Sequence, residues 1–219
     1  MNKFAKLFDP KKWFYDFVKF TGSLPVLIDL RMKRIFLTKK KEALKGKYII
    51  SSNHMSYSDP VIISAAFWER RVGFVATSEL FTIKFWSAFF KAVGCIPIDK
   101  TNPSLQTFKA VKENLDRGHI TCVFPEGTVT RDESIKTFKS GIVMMATIAD
   151  ADILPVYLVK RKKRIHRQVC VIGEKINYKD YVSGSFPTMS EIETITNVLA
   201  SKEKELEEYY LSTLNGNKK

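Results

Sequence analysis

The stretch Tyr48-Ile49-Ile50-Ser51-Ser52-Asn53-His54-Met55-Ser56-Tyr57-Ser58-Asp59-Pro60 runs from a short apolar segment through a polar loop to a proline suited to a first helical turn. A second stretch, Ile120-Thr121-Cys122-Val123-Phe124-Pro125-Glu126-Gly127-Thr128, repeats the move from apolar run to polar, glycine-bearing loop. Strands that end in loops carrying a histidine, carboxylates and a glycine turn are how sites are assembled on an α/β sheet.

Outward from these two stretches, short apolar runs alternate with longer helical ones. Strands are predicted over 47–52, 72–76, 94–98, 119–124, 153–159 and 168–173, and helices over 60–70, 80–92, 102–117, 139–150 and 190–211. Asp59 reads as the N-cap of the helix that Pro60 enters, and Ser190 with Glu193 as a capping box for the last helix. The fold class is therefore α/β, a mixed and largely parallel sheet flanked by helices. Ahead of it, helices are predicted over 3–20 and 24–37, broken at Gly22-Ser23-Leu24-Pro25. The expected organisation is an amphipathic two-helix element over 1–46 and an α/β domain over 47–219.

Charge separates these parts. The chain of 219 residues carries a formal +13. Residues 1–47 hold thirteen lysines and arginines against four acidic residues, and Lys160-Arg161-Lys162-Lys163-Arg164-Ile165-His166-Arg167 forms a second basic knot. Such charge attracts nucleic acid or anionic lipid headgroups alike. The residues between the early lysines decide between them: Phe4, Leu7, Phe8, Trp13, Phe14, Phe17, Phe20 and Leu24 describe helices lying in a membrane interface, lysines toward phosphates. The expected partner is an anionic membrane surface at its cytoplasmic face, held peripherally or monotopically, and not a nucleic acid. A helix packed on its own domain is the competing reading for the same pattern. The apolar run from Phe20 to Ile28 is about half of what spans a bilayer. Cys95, Cys122 and Cys170 are odd in number and embedded in apolar runs, as buried thiols are. With three histidines and no HExxH or paired CxxC spacing, no metal site is expected.

His54 and Asp59 are five residues apart, a spacing that on a regular helix turns two side chains roughly 140° away from each other. They can meet only if Met55-Ser56-Tyr57-Ser58 folds as a turn, and serines and Asn53 are turn-forming residues. An imidazole so oriented can take a proton from a hydroxyl, its unperturbed pKa lying near about 6.5. In the second loop Pro125 stiffens the exit, Gly127 lets the backbone approach a ligand, and Thr128, Thr130 and Arg131 offer hydroxyls and a planar cation suited to phosphate. Helix 80–92, rich in Phe and Trp, reads either as a sheet-covering helix or as the wall of a lipid-chain groove.

The ordered blocks Asn53-His54-x-Ser56-x-x-Asp59, Gly94-x-Ile96-Pro97-Ile98-Asp99-Lys100, Phe124-Pro125-Glu126-Gly127-Thr128 and Ile153-Leu154-Pro155-Val156 resemble the glycerolipid acyltransferase family, most of all the 1-acylglycerol-3-phosphate acyltransferases. Phe138-Lys139-Ser140-Gly141 matches a further family stretch. The resemblance implies transfer of an acyl group from acyl-coenzyme A or acyl-acyl carrier protein to a lysophospholipid hydroxyl, giving phosphatidic acid, with no cofactor beyond the acyl donor. His54 would be the general base, Asp59 its orienter, and Lys100, Glu126, Gly127, Thr128, Arg131 and Lys139 the holders of the acceptor and its phosphate. The chain departs from the family where it has Val129 after the threonine and Lys100 in place of a frequent arginine. Another acceptor, glycerol 3-phosphate or a different lysolipid, is the alternative. No GxSxG elbow of a serine hydrolase is present.

Overall fold

A computed structural model describes residues 13–18, 21, 31–129, 138–161 and 167–216. Its centre is a seven-stranded sheet: β1 (Lys33–Phe36), β2 (Tyr48–Ser52), β3 (Val72–Thr77), β4 (Cys95–Ile98), β5 (Ile120–Val123), β6 (Asp152–Leu158) and β7 (Val169–Ile172). Their spatial order is β1-β7-β6-β2-β5-β3-β4, and every pairing is parallel except β6 with β7. The described helices are α1 (Trp13–Val18), α2 (Lys40–Ala43), α3 (Asp59–Ala66), α4 (Lys84–Ala92), α5 (Leu105–Asp116), α6 (Gly141–Ala149) and α7 (Met189–Gly216).

Central parallel strands are covered on both faces, which is why they read as unbroken apolar runs. All five residues of β2 and all four of β5 are buried. Alternation then sorts side chains between two cores. Ile49 and Ile153 join Val111, Leu115, Ile142, Ile195 and Leu199 on the face covered by α5, α6 and α7. Ile50 and Leu154 join Ile63, Phe67, Phe74 and Cys170 on the other, beneath α3. All three cysteines are free.

Three expectations are corrected. The helix read over 24–37 gives way at Lys33–Phe36 to strand β1, which pairs with β7. Arg34 is clamped by Glu69 through two bonds of 2.8 and 2.7 Å, while Ile35 packs under α7's apolar residues and Phe36 under the α3 side. Lys and Arg on an edge strand also discourage pairing with another chain. Asp59 does not cap α3 but lies in its first turn, with Ser58 before it and Pro60 after it. The capping box of α7 is formed by Thr188 and Glu191: Thr188 N–H donates to Glu191 Oε2 at 2.7 Å and Glu191 N–H to Thr188 Oγ1 at 3.3 Å.

Of the stretch 1–30, only residues 13–18 and 21 are described, so the predicted pair of helices otherwise lies outside the described residues. Helix α1 docks on the α/β unit by one face. The Tyr15 hydroxyl receives Val72 N–H at 2.7 Å and lies 3.0 Å from Val72 O, and Asp16 takes two hydrogen bonds from Arg71 at 2.8 and 2.6 Å. Its other face leaves Trp13 and Phe17 more than half exposed.

Candidate active site

Strand β2 stops at Ser52, and Asn53 fixes the chain as it leaves. Its side chain spans to β6, donating to Leu158 O at 3.0 Å and accepting Leu158 N–H at 2.8 Å. This amide pairing extends the β2–β6 ladder by one step after the strand has ended. The next three residues fold around a single oxygen. Asp59 Oδ2 accepts Met55 N–H at 2.6 Å and Ser56 N–H at 2.7 Å, and lies 2.9 Å from His54 Nδ1. Ser56 O in turn receives Asp59 N–H at 3.0 Å. The turn that the five-residue spacing demands is therefore built by the carboxylate itself, which is 2% exposed.

With Nδ1 donating to Asp59, the ring's remaining lone pair is on Nε2. The imidazole lies flat on Phe124, centroids 4.1 Å apart and planes 18° from parallel, so its tilt as well as its tautomer is set. Phe124 opens the second loop, at the end of β5 beside β2. From that same loop Glu126 Oε1 accepts His54 N–H at 3.2 Å. The histidine is held by its side chain from Asp59, by its backbone from Glu126 and by its face from Phe124.

In front of His54 is a cavity of about 1250 Å³. It reaches from His54 past Phe74 and Cys95 to Tyr15 and Val18 of α1, with Phe89 and Phe90 of α4 on one side. Lys100, Gly127, Thr128 and Lys139 line it together with His54. Gly127 has φ +70°, and Lys139 lies across it: a Cβ there would stand 3.0 Å from Lys139 Cε. The glycine thus permits both the turn and the lysine's passage. Burial pushes the Cys95 thiol up to about 12, so the sulfur in the cavity wall is held as a thiol rather than a nucleophilic thiolate.

Of the residues singled out in the sequence, His54, Lys100, Gly127, Thr128 and Lys139 converge on the cavity, with Asp59 directly behind His54. Glu126 is outside the cavity wall and faces the backbone of the histidine loop. Arg131 and Thr130 lie outside the described residues. The sequence reading missed the stacking role of Phe124, whose only signal was its place ahead of Pro125, and the long reach of Asn53 across 105 positions, for which no local signal exists. It also placed α1 outside the α/β domain, whereas Tyr15 and Val18 form part of the cavity wall. Helix α4 lines the cavity without being a buried core helix. It walls the cavity with Phe89 and Phe90, while none of its residues is buried and Phe85 stands 73% exposed.

Residues 34–159, more than half of the chain, match the acyltransferase family model. The 1-acyl-sn-glycerol-3-phosphate acyltransferase of Bacillus subtilis is 24% identical over 191 residues, covering 85% of this chain and 94% of its own. That of Streptococcus pneumoniae is 31% identical over 112 residues, which is 50% of this chain and 40% of its own. Among solved structures, the 1-acyl-sn-glycerophosphate (LPA) acyltransferase PlsC of Thermotoga maritima superposes with a TM-score of 0.62 at 18% identity, covering 91% of this chain and 81% of that one. The fold is shared.

Proposed function

The chain belongs to the acyltransferase family, and from that premise we propose that it moves a fatty acyl group from an acyl thioester to the free hydroxyl of 1-acylglycerol-3-phosphate, giving phosphatidic acid. The observation that carries the reading is the Asp59–His54 pair in the wall of a largely apolar cavity that two lysines also line. The names of the Bacillus and Streptococcus relatives support the choice of acceptor.

In this mechanism His54 Nε2 takes the proton of the acceptor hydroxyl as its oxygen attacks the thioester carbonyl. A C–O bond forms, and the negative charge moves to the carbonyl oxygen, where backbone N–H groups of the surrounding loops would receive it. Collapse of the adduct breaks the C–S bond, and the leaving thiolate takes the proton back from His54. Asp59 keeps Nδ1 protonated throughout and stabilises the transient imidazolium. The acyl group goes directly from thioester to alcohol, without a covalent enzyme intermediate. Lys100, Lys139 and Thr128 are suited to hold the acceptor phosphate. An ammonium group grips phosphate less directionally than a guanidinium fork, and Arg131, outside the described residues, would add such a fork. The basic run 160–167, of which 162–166 lie outside the described residues, would receive the phosphates of coenzyme A or the acidic surface of acyl carrier protein.

Both lipids reside in a bilayer, and the protein would meet them there. Among the described residues no helix is long and apolar enough to cross a membrane. Exposed Trp13, Phe17, Ile83 and Phe85, next to Lys84, favour attachment from one side at the interface. Sedimentation with anionic and with neutral vesicles checks this, and equal recovery in the supernatant with both would count against it.

An acceptor panel with purified protein tests the central reading. Lysophosphatidate, glycerol 3-phosphate and neutral lysolipids are each offered with acyl-coenzyme A and acyl-acyl carrier protein. Lysophosphatidate is expected to give the highest kcat/KM. A higher value for glycerol 3-phosphate or a neutral lysolipid would move the assignment to that acceptor, and thioester loss without any acceptor would point to a hydrolase.

A further inference from the structure

Phe124 is fixed independently of His54. It follows the buried Val123 of β5, and its side chain packs against the core that holds Ile50, Phe74 and Cys122. Its carbonyl accepts Gly127 N–H at 3.0 Å, and the carbonyl of the next residue, Pro125, accepts Lys139 N–H at 2.9 Å. The backbone that carries the ring is thus tied to the glycine turn and to the segment leading into α6.

On this fixed face lies the His54 imidazole, centroids 4.1 Å apart and planes 18° from parallel. The aromatic rings of α1 and α4 meet differently: Phe14 with Phe89, Phe85 with Trp86 and Trp86 with Phe89 are edge-on, at 84°, 77° and 90°. The difference is electrostatic. An aromatic face is negative and its edge positive, so two neutral rings prefer an edge-on or offset meeting to one laid flat on the other. Lying flat is favourable for a ring that carries positive charge, because the cation then sits over the negative face.

His54 becomes such a ring during the reaction. When Nε2 takes the proton of the acceptor hydroxyl, Nδ1 keeps its own on the Asp59 side, and the imidazole passes from neutral to a delocalised cation. The His54 side chain is 16% exposed, so water does little to solvate that charge, and a π face attracts a cation most strongly where water is excluded. Lys100 and Lys139 line the same cavity and oppose a further positive charge, while Asp59 meets the ring at its edge, through Nδ1. Support from the face comes from Phe124.

We propose that Phe124 is a positioning residue with an electrostatic role in acyl transfer: its π face stabilises the His54 imidazolium that forms as the acceptor hydroxyl is deprotonated, more than it stabilises the neutral imidazole. An interaction that strengthens between the resting site and the transition state lowers the barrier, whereas one equal in both does not. No bond is made to Phe124, and the proton resides on Nε2 until the leaving thiolate takes it back. An aliphatic side chain could fill the same space and would supply no such face.

The inference rests on His54 being the base, so H54A is included in the test. Phe124 is replaced by phenylalanines carrying one, three and five ring fluorines, which draw charge from the π face in steps while keeping the ring's shape, and by leucine in F124L. For each, kcat and acceptor KM are measured, with thermal melting as the folding control. The value of kcat is expected to fall stepwise with fluorine number, to about a tenth of wild type at five fluorines, with acceptor KM within about twofold and melting nearly unchanged. F124L is expected to match or exceed that loss. In the H54A background the same series should leave the residual rate flat, since no imidazolium forms there. The stepwise fall is the readout that a packing role would not produce. A kcat independent of fluorine number would overturn the proposal and leave Phe124 a packing residue. So would an equal stepwise fall in H54A, which would mean that the ring acts on the substrate and not on His54. Full turnover in H54A would overturn the general-base mechanism itself, a failure distinct from a flat fluorine series in an enzyme that H54A silences.

Discussion

His54 and His119 lie at opposite ends of adjacent strands, and the same ring does different work in each. His119 precedes β5 at the amino end of the sheet, 8% exposed. Its Nδ1 is 3.0 Å from Asn114 Oδ1, and its Nε2 is 3.4 Å from a nitrogen of Arg71, the residue that also ties down Asp16 of α1. Both nitrogens face protein groups, and the ring serves as a joint between α5, β3 and α1. His54, past the carboxyl end of β2, has one nitrogen engaged with Asp59 and stands in a cavity wall. A carboxylate partner on one nitrogen and open space before the ring make an imidazole usable as a base. Burial with both nitrogens engaged makes it structural.

The largest expected effect breaks the catalytic end alone. H54A should lower acyl transfer by about 10²–10⁴-fold, the range for loss of general-base catalysis, with the fold retained and stability reduced by about 1–3 kcal/mol. Steady-state kinetics beside a melting curve decide it, and near-wild-type turnover would remove the distinction between the two histidines. D59N comes next. It weakens the tie to Nδ1 and also the one acceptor shared by Met55 and Ser56, so both kcat and stability should fall, the latter by about 1–3 kcal/mol. A stability loss with kcat intact would mean that Asp59 shapes the loop without orienting the ring.

A smaller effect sharpens the role of the lysines in the cavity wall. G127A places a Cβ against the Lys139 stem at a positive φ, so acceptor KM should rise several-fold and stability drop by about 1 kcal/mol. If KM for the donor rose instead, Lys139 would belong to the thioester. The mildest is H119Q. Turnover should stay within about twofold of wild type while about 1 kcal/mol of stability is lost, because one of two engaged nitrogens loses its partner. A kcat loss as large as that of D59N would show that the amino end of the sheet also governs the reaction.

How far each part was legible follows from the range of the forces involved. The inner strands β2, β5, β6 and β7 announce themselves because burial on both faces forces apolar runs, as in Tyr48-Ile49-Ile50 and Ile153-Leu154-Pro155-Val156. Strand β1 does not, since Lys33 and Arg34 carry the edge, and Arg34 finds its acid in Glu69 far along the chain. The His54–Asp59 pair could be suspected from spacing. That Asp59 would build the turn with one oxygen, rather than cap the helix, depends on where Met55 and Ser56 point their N–H groups. The resemblance implies Glu126 as a holder of the acceptor, and the adjacency of β2 and β5, invisible in the sequence, also brings its carboxylate to His54 N–H.

By itself the sequence determined the α/β class, the strand-end placement of both loops and the ordered blocks that mark the family, because periodicity, turn chemistry and short motifs act over a few residues. The tertiary structure alone decided that Phe124 would stack on His54, that Asn53 would reach β6 and that Tyr15 and Val18 of α1 would wall the cavity. Each of those contacts joins residues about 70 or more positions apart, or a helix to a sheet it follows only in space, and no local pattern encodes which distant partner burial will bring within reach.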